Sequence, residues 1–411
     1  MTQRWSSVLI GLLATPVAIL MGCGGSKPAP TVAPAAAETP REITSPAGDN
    51  SGQGNLAVGP GGEVYLSWME TADSGSPVLK FAVLRDEKWS PAQTILENED
   101  LLVNYADFPS MLPMGNGLLA AHWLSNIPDA DEAYGIKLSF SRDDGKTWSK
   151  PVAPNRDHAK TEHGFVSLVA NPGGDLGVVW LDSRKLEGPK KTDDVALMYT
   201  TVGVDGKLGP ETIIDGRVCE CCQPVARRTA NGILIVYRGR TKDEIRDITT
   251  VRFDGSKWSE PKTVFADRWK INGCPINGPS MAVDGNRVAV AWFTGVNDTP
   301  KVEMAYSSDG GETFGPPAHV DDGKPMGRVS VVLQDDGALV TWLERGDQGS
   351  EWRGRRLDAS GASQPSFVVG TNGIGDSAGF PRTVRNGNSV LFAWTDSKAR
   401  KVRVAVLDRK N

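Results

Sequence analysis

Four of the five cysteines lie in two short stretches. Cys219, Cys221 and Cys222 form Cys-Glu-Cys-Cys, and Cys274 opens Cys-Pro-Ile-Asn-Gly-Pro. Cys219 precedes Pro224 by five residues and Cys274 precedes Pro279 by five, which makes them equivalent positions in two successive units. Three chemistries suit such a group. Outside the cytoplasm the thiols can close disulfides, including a vicinal Cys221–Cys222 bridge. They can hold a soft metal ion, Cu(I) or Zn(II), with His163 as an added ligand. They can also remain free and redox-active.

Ionisable residues recur around them. Asp107, His163, Cys222 and Asn277 each precede a strand-closing aromatic, at 123, 180, 237 and 292, by 15 to 17 residues. Directly after such strands come Glu70, Asp182, Arg184, Arg238, Arg240, Glu344, Arg345 and Asp396. His122 falls inside an apolar strand and reads as a packed residue, whereas His158 and His319 fall in turns.

The elements that must position these residues are short β-strands. Val64–Trp68, Leu118–Trp123, Leu176–Trp180, Ile233–Tyr237, Val288–Trp292, Ala338–Trp342 and Val390–Trp394 are apolar runs, each closed by an aromatic. The closing aromatics are 50 to 57 residues apart. A third strand and a turn rich in Asp, Gly and aromatic residues follow most of them. That period is the signature of four-stranded propeller blades. Seven units are counted, and the last, ending in Val402–Leu407, is one strand short. Residues Arg41–Ser45 are expected to supply that strand and close the ring, removing the free sheet edges. On this reading the closing aromatics pack between blades.

Two turns carry a sharper motif. Ser141-Arg-Asp-Asp-Gly-Lys-Thr-Trp148 fits Ser-x-Asp-x-Gly-x-Thr-Trp, and Ser307-Ser-Asp-Gly-Gly-Glu-Thr-Phe314 repeats it with Phe. Asp143 and Asp309 can accept backbone N–H groups across the turn. Gly145 and Gly311 can take positive φ, and Trp148 and Phe314 can pack between sheets. With these turns the chain, over roughly residues 50 to 408, resembles the sialidase-like Asp-box (BNR-repeat) β-propellers. The resemblance implies an all-β fold with structural boxes on the outer rim; seven blades are favoured, with six, as in sialidases, the alternative. For a sialidase-type glycoside hydrolase acting on an anionic sugar it also implies a carboxylate clamp of arginines. Arg184, Arg240, Arg328, Arg345 and Arg382 are the candidates, with Asp107 as acid/base and Tyr237 as nucleophile backed by Glu344 or Glu70. The Phe/Tyr-Arg-Ile/Leu-Pro element of sialidases is replaced by Gly54-Asn55-Leu56-Ala57. The leading expectation is therefore a binding or accessory propeller with a cysteine-rich, charged axial pocket for a small-molecule, glycan or protein ligand or a soft metal.

The chain has 411 residues, 46 of them Gly and 12 Trp, enough for a large β-rich core. A formal net charge of −5 offers no basic footprint for nucleic acid. Residues 1–22 read as a signal segment, with Arg4 ahead of the apolar run Val8–Met21. Leu20-Met-Gly-Cys23 resembles a bacterial lipobox, which implies lipidation of Cys23 and a membrane anchor. Gly24 after it implies the outer membrane of the cell envelope. Residues 23–42 read as a Pro/Ala-rich tether, and 43–411 as the propeller.

Overall fold

The computed structural model describes residues 39–130, 133–347, 349–372 and 379–408. The signal segment, Cys23 and most of the tether lie outside them. Seven antiparallel sheets form seven blades of a β-propeller. Their innermost strands are Ser51–Val58, Ser110–Gly115, His163–Ala170, Val225–Thr229, Ser280–Asp284, Pro325–Gln334 and Arg382–Asn386.

The second strands are the apolar runs of the sequence: Val64–Thr71, Leu118–Asn126, Leu176–Asp182, Gly232–Arg238, Arg287–Thr294, Gly337–Gly346 and Ser389–Asp396. Continuous apolar runs suit them because both faces of each sheet are covered by neighbouring blades. Leu176–Asp182 is buried at every position. A hydrophobic layer fills each of the seven interfaces between blades. The closing aromatics Trp68, Trp123, Trp180, Tyr237, Trp292, Trp342 and Trp394 are all buried there, as expected. Among the described residues no helix is long and apolar enough to cross a membrane.

The ring closes as expected. Arg41–Ile43 pairs with Lys401–Asp408, with Arg41 opposite Val406 and Ile43 opposite Val404. The strand begins at Arg41, where the closing segment was expected to begin, and ends at Ile43.

Both motif turns are held by their own side chains. The Ser141 hydroxyl donates to Asp143 Oδ1 at 2.8 Å and accepts the Gly145 N–H at 2.8 Å. Asp143 in turn accepts the Thr147 N–H at 2.9 Å and its hydroxyl at 2.7 Å. The Ser307–Phe314 turn repeats this set, with Ser307, Asp309, Gly311 and Thr313 in the same roles. The Thr147, Ser141 and backbone hydrogen bonds hold the Asp143 carboxyl down at about 2. Ser141→Ala leaves the buried Gly145 N–H without its acceptor. It is expected to lower stability by about 1–2 kcal/mol, read as a shift of the urea midpoint; an unchanged midpoint would show the turn to be incidental.

Candidate functional site

Propeller geometry gathers the starts of the innermost strands and the ends of the second strands around one axial mouth. Bulges sharpen this convergence. The pairing slips between Gly52 and Asn55, between Gly164 and Ser167, and between Gly327 and Ser330. At these slips Gln53, Phe165 and Arg328 adopt left-handed backbone, with φ of 54°, 53° and 54°. A bulge re-aims the side chain of its extra residue. Phe165 thereby joins a cluster with Ala106, Cys219, Cys221 and Cys222, against which Tyr105, Ile276 and Phe380 pack. Five blades thus contribute to one apolar floor. Around it, Arg382 lies 4.2 Å from the Phe108 ring and Arg328 lies 5.1 Å from the Phe380 ring. Burial and the like charge of Arg227 push Arg382 down to about 10.

The four cysteines meet in this floor. Cys221 is disulfide-bonded to Cys274, joining the mouths of the fourth and fifth blades. The pairing therefore runs between blades and not to the adjacent Cys222. Cys219 and Cys222 are buried free thiols with sulfurs 2.9 Å apart, and Cys221 Sγ lies 3.9 Å from Cys219 Sγ. Burial alone would raise the Cys219 thiol. The shared hydrogen bond with Cys222 and the charges of Arg238 and Arg246 outweigh it and bring Cys219 to about 7. Burial and the neighbouring Cys219 sulfur push Cys222 up.

One buried guanidinium group contacts the thiols, and a second holds the loop beside them. Arg246 Nη1 is 3.4 Å from Cys219 Sγ and 2.8 Å from Glu220 Oε2. Arg238 donates to the Asn277 carbonyl from Nε and Nη2, at 3.0 and 2.8 Å. It also donates to the Arg246 and Phe293 carbonyls, both at 2.7 Å. Its guanidinium lies 5.0 Å from the Trp269 ring.

His163 belongs to a second group and does not join the thiols. Its Nε2 is 2.9 Å from Asp157 Oδ2 and 3.6 Å from Asp182 Oδ2, and its Nδ1 is 3.1 Å from the Thr161 carbonyl. With both ring nitrogens engaged, it is no ligand to the cysteine cluster. Burial would lower His163, but the Asp157 and Asp182 carboxylates raise it above its ordinary value. Arg184 closes the group, bonding Asp182 at 2.6 and 2.7 Å and Glu211 at 3.1 Å.

Asp107 is 1% exposed. Its Oδ2 accepts the Phe165 N–H at 2.8 Å, and the Tyr134 hydroxyl also bonds to it. Its Oδ1 has no hydrogen-bond partner. A Cβ on Gly164 would sit 1.8 Å from Asp107 Oδ2, so only glycine fits beside it. Burial raises the Asp107 carboxyl to about 7 against the pull of these hydrogen bonds.

The residues expected to form a carboxylate clamp are mostly committed to protein partners. Tyr237 is buried and its hydroxyl donates to Asp215 at 2.8 Å. Glu344 does not back Tyr237; it accepts the Trp342 indole N–H at 2.6 Å and the Lys324 N–H at 2.5 Å. The same indole-to-carboxylate bond joins Trp68 to Glu70 and Trp180 to Asp182. A carboxylate two residues after a buried tryptophan is therefore an internal acceptor in three blades. Arg240 is tied to Glu244 and Asp193. Arg345 is exposed at the rim. Arg382 is stacked on Phe108 as described.

Sequence reasoning did not single out Asp157, Tyr134, Glu211, Asp215, Arg246 or Trp269. They sit in loops or in third and fourth strands, where no periodic signal marks them. The Trp-x-acid spacing was a readable sign for Glu70, Asp182 and Glu344.

No family model matches the chain, and neither does any curated protein. Solved structures of similar fold include an α-L-arabinanase from Penicillium chrysogenum, 13% identical, covering 90% of this chain and 98% of that one with a TM-score of 0.50. An α-L-arabinofuranosidase of Fusarium graminearum is 15% identical over 90% of this chain and 98% of its own, with a TM-score of 0.49. The NanB sialidase of Streptococcus pneumoniae is 13% identical over 89% of this chain and 70% of its own, with a TM-score of 0.44. At such identities the likeness is one of architecture alone, and that architecture is the β-propeller.

Proposed function

We propose that the protein is an envelope-anchored lipoprotein of the Asp-box type, tethered through Cys23, whose propeller binds a soft metal ion at its axial mouth. The observation that carries this reading is the buried pair of free thiols, Cys219 and Cys222, converging beside Arg246 and Arg238. Two thiolates around a monovalent ion leave one net negative charge, which the guanidinium of Arg238, bonded only to backbone carbonyls, offsets. Zn(II) asks for four ligands. His163 is held elsewhere and Cys221 is in a disulfide, so the available donors suit two-coordinate Cu(I) better.

One observation favours the alternative, a sialidase-type hydrolase acting on an anionic sugar. Asp107 keeps a proton to about pH 7, as a general acid must. It is nonetheless buried, and of the arginines that would clamp a carboxylate Arg184 and Arg240 are already paired with carboxylates of the protein.

The test is Cu(I) titration of the full-length protein with its Cys221–Cys274 disulfide intact, under anaerobic conditions and against a chromophoric chelator. One equivalent is expected to bind, with affinity falling at least tenfold in Cys219→Ser or Cys222→Ser and unchanged in Cys274→Ser. Equal binding in all four proteins would remove the reading.

A further inference from the structure

The cysteine group holds more than a pair of donors. A disulfide and a dithiol lie in van der Waals contact, with Cys219 Sγ 3.9 Å from Cys221 Sγ and 2.9 Å from Cys222 Sγ. Thiol–disulfide exchange requires a thiolate within reach of a disulfide sulfur, and a leaving thiolate that can be stabilised. Cys219 meets the first condition with respect to Cys221. Cys274 meets the second: it is exposed to solvent, whereas its partner Cys221 is buried.

We propose that Cys219, Cys221, Cys222 and Cys274 form an intramolecular thiol–disulfide exchange site. In the first step the Cys219 thiolate attacks Cys221 Sγ. A Cys219–Cys221 bond forms, the Cys221–Cys274 bond breaks, and the electron pair leaves on Cys274, which takes a proton from water. In the second step the Cys222 sulfur, deprotonated, attacks Cys219 Sγ. A Cys219–Cys222 bond forms and Cys221 leaves as a thiolate, taking up the proton that Cys222 gave. The sum is one disulfide and two thiols on each side, with no oxidant or reductant consumed.

The exchange changes what the mouth offers. With the disulfide at Cys221–Cys274, the fourth and fifth blades are stapled and the buried pair is free. With the disulfide at Cys219–Cys222, the buried pair is closed and a thiol at Cys274 faces solvent. The loop carrying Cys274 stays anchored at Asn277, whose carbonyl accepts Arg238 and whose Oδ1 accepts the Arg328 N–H at 2.7 Å. Release is thus confined to the residues just before that anchor, where Ile276 has left-handed backbone with φ of 48°. The exchange concerns the sulfurs alone and does not depend on the soft-ion reading. Where that reading holds, the second state removes the ion's two ligands.

The experiment uses full-length protein brought to one disulfide per propeller with limiting dithiothreitol. It is then desalted into anaerobic buffer containing a metal chelator, so that metal binding plays no part. Timed pulses of N-ethylmaleimide followed by peptide mass mapping report each cysteine separately. In the wild type we expect Cys274 to become alkylated with time, and a Cys219–Cys222 disulfide to be recovered. Cys219→Ser should slow alkylation of Cys274 at least tenfold. Cys222→Ser should leave Cys274 reactive while Cys221 stays bonded to Cys219. Recovery of Cys221–Cys274 as the sole disulfide in the wild type at all times would overturn the proposal, as would wild-type alkylation of Cys274 in Cys219→Ser. The wild-type disulfide map decides the matter even if a variant fails to fold. Failure here with intact Cu(I) binding would leave the metal reading standing, and the reverse result would leave the exchange standing.

Discussion

Arg238→Ala is expected to lower the stability of the propeller by about 3–5 kcal/mol, because it removes the donor to three buried carbonyls. The side chain is 2% exposed and donates to the carbonyls of Asn277, Arg246 and Phe293. Truncation leaves all three acceptors in a space that alanine cannot fill, and each buried orphan costs about 1–3 kcal/mol. The stacking on Trp269 is lost as well. Arg238→Lys should recover little, because a single ammonium cannot present the planar fork that reaches Asn277 through two nitrogens. Arg238 also ties the second strand of the fourth blade to the loop bearing Cys274 and to the second strand of the fifth. Its loss should therefore loosen the cysteine group as well as the fold. Denaturant midpoints followed by tryptophan fluorescence measure the first effect. A loss below about 1 kcal/mol would mean that water replaces the guanidinium and that the bracing role is wrong.

Asp107→Asn is expected to make the protein more stable at neutral pH, and to do so only there. The native Asp107 carboxyl holds its proton to about 7 because it is buried. In the unfolded chain the same group ionises near ~3.9. Between those values the unfolded state releases a proton that the native state keeps. Stability therefore falls as pH rises through this window, and the fall is complete above about 7. The loss by neutral pH is on the order of 2–4 kcal/mol. Asparagine keeps an oxygen to accept the Phe165 N–H and has no proton to lose. Wild type and variant should match near pH ~4 and diverge steadily towards pH ~8, with the variant the more stable. Parallel stability curves over that range would show that Asp107 ionises normally in the native protein.

Much of the fold was legible because its determinants are local. A buried blade strand needs an unbroken apolar run, its turns need Gly and Asp, and each blade repeats the solution. The run from Val288 to Trp292 and the turn from Ser141 to Trp148 could be read in isolation, and the structure places both as read. The closing strand Arg41–Ile43 was legible by counting, since a ring of seven four-stranded blades lacked one strand. That Cys221 and Cys274, on successive units, come together also followed from the repeat.

What each of those residues does there was not legible. Ser141, Gly145 and Trp148 answer to neighbours within a few residues, so the chain itself specifies their roles. Cys221 answers to Cys274, fifty-three residues away, and passes over the adjacent Cys222. His163 turns to Asp157 and Asp182, Glu344 to the indole of Trp342, and Tyr237 to Asp215. Spacing locates a residue only to within a residue or two around the ring, whereas hydrogen bonds and disulfides discriminate at tenths of an ångström. Bulges at Gln53, Phe165 and Arg328 rotate side chains by amounts that no period encodes. The repeat alone thus determined the architecture and the company each residue keeps. Blade packing decided which atoms meet, because partners on different blades are set by the register and twist of whole sheets.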